Sequence, residues 1–230
     1  MKTIVILGAG WTGLPLAHKL LKYTLPKTPI QVILVSPNSH FFWNVAATRG
    51  IIAGEIPDDK LFLPIEPAFQ QYPTQSFRFI LGKATEINDA NNCASIEKND
   101  GSHEEVRFDH LVIATGSRVA GDIPLKPIGD HVSTLNAWHR LQKSIDEAKS
   151  IVIAGAGATA VEIAGELAVK HPNKTITLVC SSDNLLSHQQ GVIPSVQTAT
   201  RQSLESLGVQ IKWGKRVTET RDKESETEVV

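Results

Sequence analysis

The sequence predicts an α/β chain of two successive units, each opening on a strand, a glycine turn and a helix, with a small antiparallel hairpin inserted in the first. Three observations carry this reading. The apolar run Thr3 to Leu7 leads into Gly8, Gly10 and Gly13, after which Leu14, Ala17, Leu20 and Leu21 recur at helical spacing. The same arrangement returns at Ile151 to Leu167, with 147 residues separating Gly8 from Gly155, about one domain length. Leu111 to Ala114 is apolar throughout, and Ile30 to Val35 and Ile176 to Val179 are apolar except at Gln31 and Thr177, so each reads as a strand.

In the first turn, Gly8-Ala9-Gly10-Trp11-Thr12-Gly13, each glycine has its own task. Gly8 permits the sharp bend, Gly10 lets backbone approach a pyrophosphate, and Gly13 lets helix and strand pack closely. The helix start adds free N–H groups and partial positive charge. A glycine turn with no ligand is the plainer alternative. The strand before and the helix after are the context that marks a dinucleotide site.

Pro26 and Pro29 punctuate the loop to the second strand, Ile30 to Val35. Ser36 stands where such folds place an acid for the ribose hydroxyls, and a serine can hydrogen-bond there without charge assistance. The aromatic stretch 37–49 reads as a helix packing Phe41, Phe42 and Trp43 onto the sheet. Arg49, near a diphosphate site, has an anion to pair with. Prolines 57, 64, 67 and 73 mark residues 50–76 as loops and short helices. Phe77 to Ile87 is a strand. Cys93 to Glu97 and Glu105 to Arg107 form the hairpin, with Asn99-Asp100-Gly101 at its tip. His110 caps the strand that follows. That strand runs into Thr115 and Gly116, small residues suited to a sheet end where a ligand lies against backbone.

Residues 118–146 hold Gly121, Pro124, Pro127 and Gly129, then a helix from about Thr134 to Ala148. The second turn carries Gly155, Gly157 and, in place of the third glycine, Ala160, which the fingerprint allows. Its following strand ends at Cys180-Ser181-Ser182, with no acid there and no arginine close behind in sequence, so NADH and NADPH are not separated by the usual rule. Val196, Ala199, Leu204 and Leu207 describe an amphipathic helix ended by Gly208, and Val209 to Trp213 a strand. Residues 218–228 read as a polar tail. The expected domains are 1–120, binding FAD; 121–148, a connection and helix; and 149–230, binding NAD(P)H and incomplete.

Composition excludes several alternatives. The chain has 230 residues, 20% of them charged, and a net charge of −1, so there is no basic field for nucleic acid. Two distant cysteines, Cys93 and Cys180, argue against a disulfide framework. A first strand at Thr3 leaves no room for a secretory leader, and no apolar run nears the ~18 residues of a membrane span, so a cytoplasmic location is expected. No two of the eight histidines are spaced H-x3-H, and no serine sits in a G-x-S-x-G elbow.

Two fingerprints bracketing Asp109-His110-Leu111-Val112-Ile113-Ala114-Thr115-Gly116 resemble the pyridine nucleotide–disulfide oxidoreductases, flavoproteins in which an NAD(P)H domain is inserted into an FAD domain. Asn44-Val45-Ala46-Ala47 with Arg49 is similar to the apoptosis-inducing-factor-like branch, whose mitochondrion-associated members are NAD(P)H:quinone reductases. The resemblance implies that Gly8, Ala9, Gly10, Trp11, Thr12 and Gly13 hold the FAD pyrophosphate and that Ser36 faces its ribose. Arg49 would pair with FAD phosphate or lie along the cofactor, and the Ala84 backbone would meet the adenine. Thr115 and Gly116 would close over FAD. Gly155, Gly157 and Ala160 would bind the NAD(P)H pyrophosphate. Glu162 would sit near the nicotinamide; an acid favoured by the helix dipole is an equally good reading of it.

The chain departs from the family at Ser36 and in lacking the Gly-Asp motif and flavin-covering domain that follow the nucleotide domain. Against the family pattern the polar end at 218–230 looks like a hairpin cut in the middle, so a fragment, a truncated gene model or a degenerate relative is expected. Residues 40–50 hold no C-x4-C pair, so no dithiol relay is supported. The implied route is hydride from NAD(P)H to FAD and then to a small-molecule, quinone-like acceptor, with no catalytic side chain required. The resemblance also admits peripheral membrane association in a longer form. The alternative from another class is a nonenzymatic NAD(P)H-binding or regulatory protein.

Overall fold

The computed structural model describes residues 1–119, 121, 123–187, 189–222 and 227–229, which form two compact units. One comprises Met1–Asn44 and Pro57–Arg140, the other Val45–Ile56 and Leu141–Val230. These bounds differ from those expected. Residues 45–56, assigned by sequence order to the first domain, group with the second unit, and the later division, after Arg140, falls within one helix.

In the first unit a six-stranded sheet has the order β7-β6-β5-β2-β1-β8. β1 (Lys2–Leu7) lies between β2 (Ile30–Ser36) and β8 (His110–Ile113), parallel to both. Both faces of β1 are buried, which is why its sequence is apolar without alternation. Ile4 and Ile6 join Ala17 and Leu21 of the first helix, with Val32, Leu34, Ile65 and Phe69. Val5 and Leu7 join Ile33, Val35, Ile80, Ala94, Ile96 and Val106 on the other face. The first helix, α1 (Gly13–Lys19), runs on through a π-helical turn, Leu20–Thr24.

β5 (Phe77–Asn88) pairs in parallel with β2 through Leu81, then antiparallel with β6 (Cys93–Lys98), which pairs with β7 (His103–Arg107). This is the expected hairpin. The stretch 37–49 is not one helix. β3 (His40–Phe42) pairs antiparallel with β4 (Phe62–Pro64), reached through the turn α3 (Asp58–Leu61), and the single turn α2 (Ala47–Gly50) follows β3. Phe42 stacks on Phe62 at 4.7 Å between ring centroids, a cross-strand aromatic pair that a helix could not make. α4 (His131–Glu147) starts three residues earlier than expected, capped by the Asp130 carboxylate, which accepts from Ser133 N at 2.8 Å.

The second unit has a parallel sheet of order β11-β10-β9, formed by β9 (Ser150–Ala154), β10 (Thr175–Val179) and β11 (Gln210–Lys212). α5 (Ala158–Lys170) and α6 (Pro194–Ser206) bury Ala164, Leu167 and Leu204 with Ile176 and Leu178 of β10. Residues 220–222 (β12) and 227–229 (β13) pair antiparallel, as the hairpin reading of this end expects, where composition alone reads a solvated tail. Among the described residues no helix is long and apolar enough to cross a membrane.

Candidate dinucleotide sites

The first site is built where β1 ends. Gly8 N donates to Val35 O and Ala114 N to Leu7 O, both at 2.8 Å, so the turn is held between its neighbouring strands. Gly8 has φ +107°, and a Cβ there would lie 2.7 Å from the Ala114 carbonyl carbon and 3.0 Å from Thr115 Cα. A Cβ on Gly13 would collide with the Gly8 carbonyl oxygen. These two glycines are required by internal packing. Gly10 is different, because a Cβ there meets nothing within 4 Å. The turn therefore presents bare backbone to open space at the position where a pyrophosphate would approach, beside a helix start whose first amides have no intrahelical acceptor. The residues fit a dinucleotide.

The same geometry places Ala114 and Thr115 against the Gly8 turn, and Thr115 and the following Gly116 are exposed, with Gly116 at φ +72°. Ala9 is buried beneath the turn. Ser36 is also buried, and its Oγ accepts from Asn38 N at 3.1 Å, so the hydroxyl first serves its own turn. Ser36 pairs with Leu81, and Ala84 lies three residues farther along β5, half-buried where the ladder to β6 shifts register.

Trp11 is half exposed yet fixed. Its Nε1 donates to Asn44 Oδ1 at 2.7 Å, and its ring meets Phe41 edge-on at 5.2 Å. Asn44 Nδ2 donates to Leu125 O, and Asn38 Nδ2 to Gly129 O, tying the segment before α4 to this end of the sheet. Asn38 and Asn44 are residues the sequence reading missed as contributors. Asn44 had been singled out only as part of the branch motif.

Arg49, expected beside the cofactor, has a protein partner. It belongs to the second unit, where its guanidinium binds the Glu166 carboxylate of α5, and that carboxylate raises its pKa.

The second site lies at the C-terminal ends of β9, β10 and β11, where α/β sheets bind their ligands. Gly155 N donates to Val179 O at 2.9 Å. A Cβ on Gly155 or Gly157 would meet nothing within 4 Å, so this turn too is bare toward open space. Gly157 precedes α5 as its N-cap, and Ala160 sits half-buried in the first turn. Leu186 N donates to Ala156 O at 2.8 Å, bringing segment 180–187 against the turn. Glu162 is exposed in the second turn of α5. Cys93 and Cys180 are free and buried, and burial raises the Cys93 thiol pKa. Among the described residues no cluster of three or more His, Cys, Asp or Glu could hold a metal.

Comparison with known proteins agrees with this geometry. The model of the pyridine nucleotide-disulphide oxidoreductase family matches residues 2–230. Oxidoreductase ptaL of Pestalotiopsis fici is 40% identical over 215 residues, covering 92% of this chain and 57% of that protein. Ferroptosis suppressor protein 1 of Xenopus tropicalis is 33% identical over 218 residues, covering 94% of this chain and 53% of that protein. Among solved structures, the ferredoxin reductase for the CYP199A2 system of Rhodopseudomonas palustris superposes with a TM-score of 0.78 at 22% identity, covering 100% of this chain and 55% of that one. The chain thus spans about half the length of the curated relatives it matches. With two glycine turns of this geometry and a family match along nearly its whole length, the chain belongs to the pyridine nucleotide-disulphide oxidoreductases, a family of FAD- and NAD(P)H-dependent oxidoreductases.

Proposed function

We propose that this chain carries the FAD site and the NAD(P)H site of an oxidoreductase that passes electrons from NAD(P)H through FAD to an external small-molecule acceptor of quinone type. The observation that carries the reading is the contrast within one fingerprint. Gly8 and Gly13 are demanded by packing, whereas Gly10 faces open space with no internal reason to lack a side chain. Bound FAD would accept hydride and release electrons onward. The residues of the chain bind and orient: the Gly8 to Gly13 turn takes the pyrophosphate, Trp11 is pinned beside it by Asn44, and Thr115 and Gly116 flank it. The Gly155 to Gly157 turn takes the second pyrophosphate. With Cys93 and Cys180 in different units, 87 positions apart in sequence, the reading routes electrons without a dithiol.

The test is FAD reconstitution of the purified chain beside Gly10→Asp. The variant adds a carboxylate in open space, so it should fold as the parent does by circular dichroism and retain no flavin. Equal flavin retention by both proteins would remove the assignment.

A further inference from the structure

The second site contains a feature that sequence order hides. β10 ends at Cys180, where a dinucleotide fold reads the adenosine ribose: an acid there takes the 2′-hydroxyl of NADH, and a nearby arginine accommodates the 2′-phosphate of NADPH. Residues 180–182 hold neither. The structure supplies cations from another element. Cys180 N donates to Lys212 O at 2.8 Å, and Lys215 N donates back to Cys180 O at 3.0 Å. The loop after β11 is thereby fastened to the end of β10, bringing the backbone of Lys215 and Arg216 to the ribose end of the site.

Lys212, Lys215 and Arg216 are all exposed, and none has an ion-pair partner among the described residues. Arg201, on α6, is occupied by Glu205 and lies over the Trp213 ring, and Arg221 is occupied by Glu219. Segments 180–187 and 210–217 together hold these three cations and a single acid, Asp183. Ser182 Oγ donates to Asn184 O at 2.9 Å, which leaves the exposed Ser181 hydroxyl as the uncommitted one of the pair. An arginine and a lysine with no ion-pair partner among the described residues, on a loop bonded to the strand end that Ser181 follows, match a phosphate monoester dianion.

We infer that Lys215 and Arg216 form a 2′-phosphate subsite at the end of β10 and make this chain select NADPH over NADH. The inference rests on the proposal that the second unit binds a nicotinamide nucleotide.

The experiment measures the dissociation constants of NADPH, NADH, 2′,5′-ADP and 5′-ADP by calorimetry. It uses the parent chain, Lys215→Ala/Arg216→Ala, and Asp183→Asn. The parent should bind NADPH about tenfold or more tightly than NADH, the scale of one charge-assisted hydrogen bond, and 2′,5′-ADP more tightly than 5′-ADP. That preference should shrink as salt rises. The double variant should lose the preference and keep its NADH affinity. Equal binding of both nucleotides by the parent overturns the inference and leaves the nucleotide site standing. So does NADH preference abolished by Asp183→Asn, which would make Asp183 the ribose ligand. Failure of all four ligands to bind the parent would instead remove the nucleotide reading on which the inference rests.

Discussion

Arg49 holds Glu166 through three hydrogen bonds: its Nε donates to both carboxylate oxygens at 3.1 Å, and its Nη2 donates to Oε1 at 2.9 Å. With the Glu55–Lys170 ion pair at 2.8 Å and Gln142 Nε2 donating to Gly50 O at 2.8 Å, it fastens segment 45–56 onto α5 and the end of α4. A planar fork on a carboxylate is specific to arginine. Arg49→Lys should therefore loosen the segment nearly as much as Arg49→Ala, read as faster proteolysis within 45–56. Glu166→Gln should do the same without lowering FAD affinity. If Arg49→Ala strips flavin while Glu166→Gln leaves the segment protected, the arginine serves the cofactor and not this clamp.

The glycines of the first turn should separate by consequence. Gly8→Ala and Gly13→Ala force a Cβ against the Ala114 carbonyl and the Gly8 carbonyl, and Gly8 also needs its positive φ. Both variants should lose thermal stability by several degrees or fail to fold, since backbone atoms cannot yield as a flexible side chain can. Gly10→Ala should keep the parent's melting temperature. A Gly10→Ala protein as unstable as Gly13→Ala would show that the space above Gly10 is filled by the protein itself.

His40 and His131 stack at 3.8 Å between ring centroids in the first unit, with Ser39 Oγ at 2.9 Å from His40 Nδ1. Burial lowers both pKa values; each further feels its charged neighbours, since proximity to His131 lowers His40, while Asp130 and Asp58 oppose the shift at His131. Burial lowers His18 likewise. Folded values lie below the unfolded value of about 6.5, so between the two the unfolded chain binds more protons. The stabilising contribution is complete above about pH 6.5 and is lost as pH falls through the folded values. The urea midpoint should be level above neutrality and decline below it, and the double variant His40→Phe/His131→Phe should flatten that decline. An unchanged slope would place its origin elsewhere.

Trp138 is fully buried, edge-on to Phe42 at 5.5 Å and Phe62 at 6.1 Å, and its Nε1 has no partner among the described residues. Trp138→Ala should destabilise the first unit by about 3–5 kcal/mol through the cavity it leaves. Trp138→Phe should cost no more than about 1.5 kcal/mol, since it keeps a ring and removes an unpaired donor. Urea unfolding of both variants checks the ordering.

What the sequence made legible is what is encoded locally. β1, α1 and the turn between them follow from apolar period and glycine spacing, and so do β9, the second turn and α5. The 93–107 hairpin is announced by Asn99-Asp100-Gly101. The stretch 37–49 is not legible locally, because its aromatics suit a helix face or a strand equally and the partner strand that decides it, β4, comes only after α3. The Glu166 partner of Arg49 is hidden in the sequence because it lies 117 residues away. The approach of Lys215 to Cys180 is likewise hidden, because the β10–β11 pairing creates it. Trp11 stood in the fingerprint, but its hold on Asn44 depends on β3 ending where it does.

If two nucleotide sites of one redox enzyme reside on this chain, NADPH bound at the second should reduce flavin bound at the first. The most direct test is the visible absorption of the FAD-reconstituted chain, titrated with NADPH in the absence of oxygen. Flavin bands should travel with the protein and bleach as NADPH is added, then return when a quinone is supplied. A chain that takes up no FAD, or whose bound flavin stays oxidised under excess NADPH, would contradict the two-site reading.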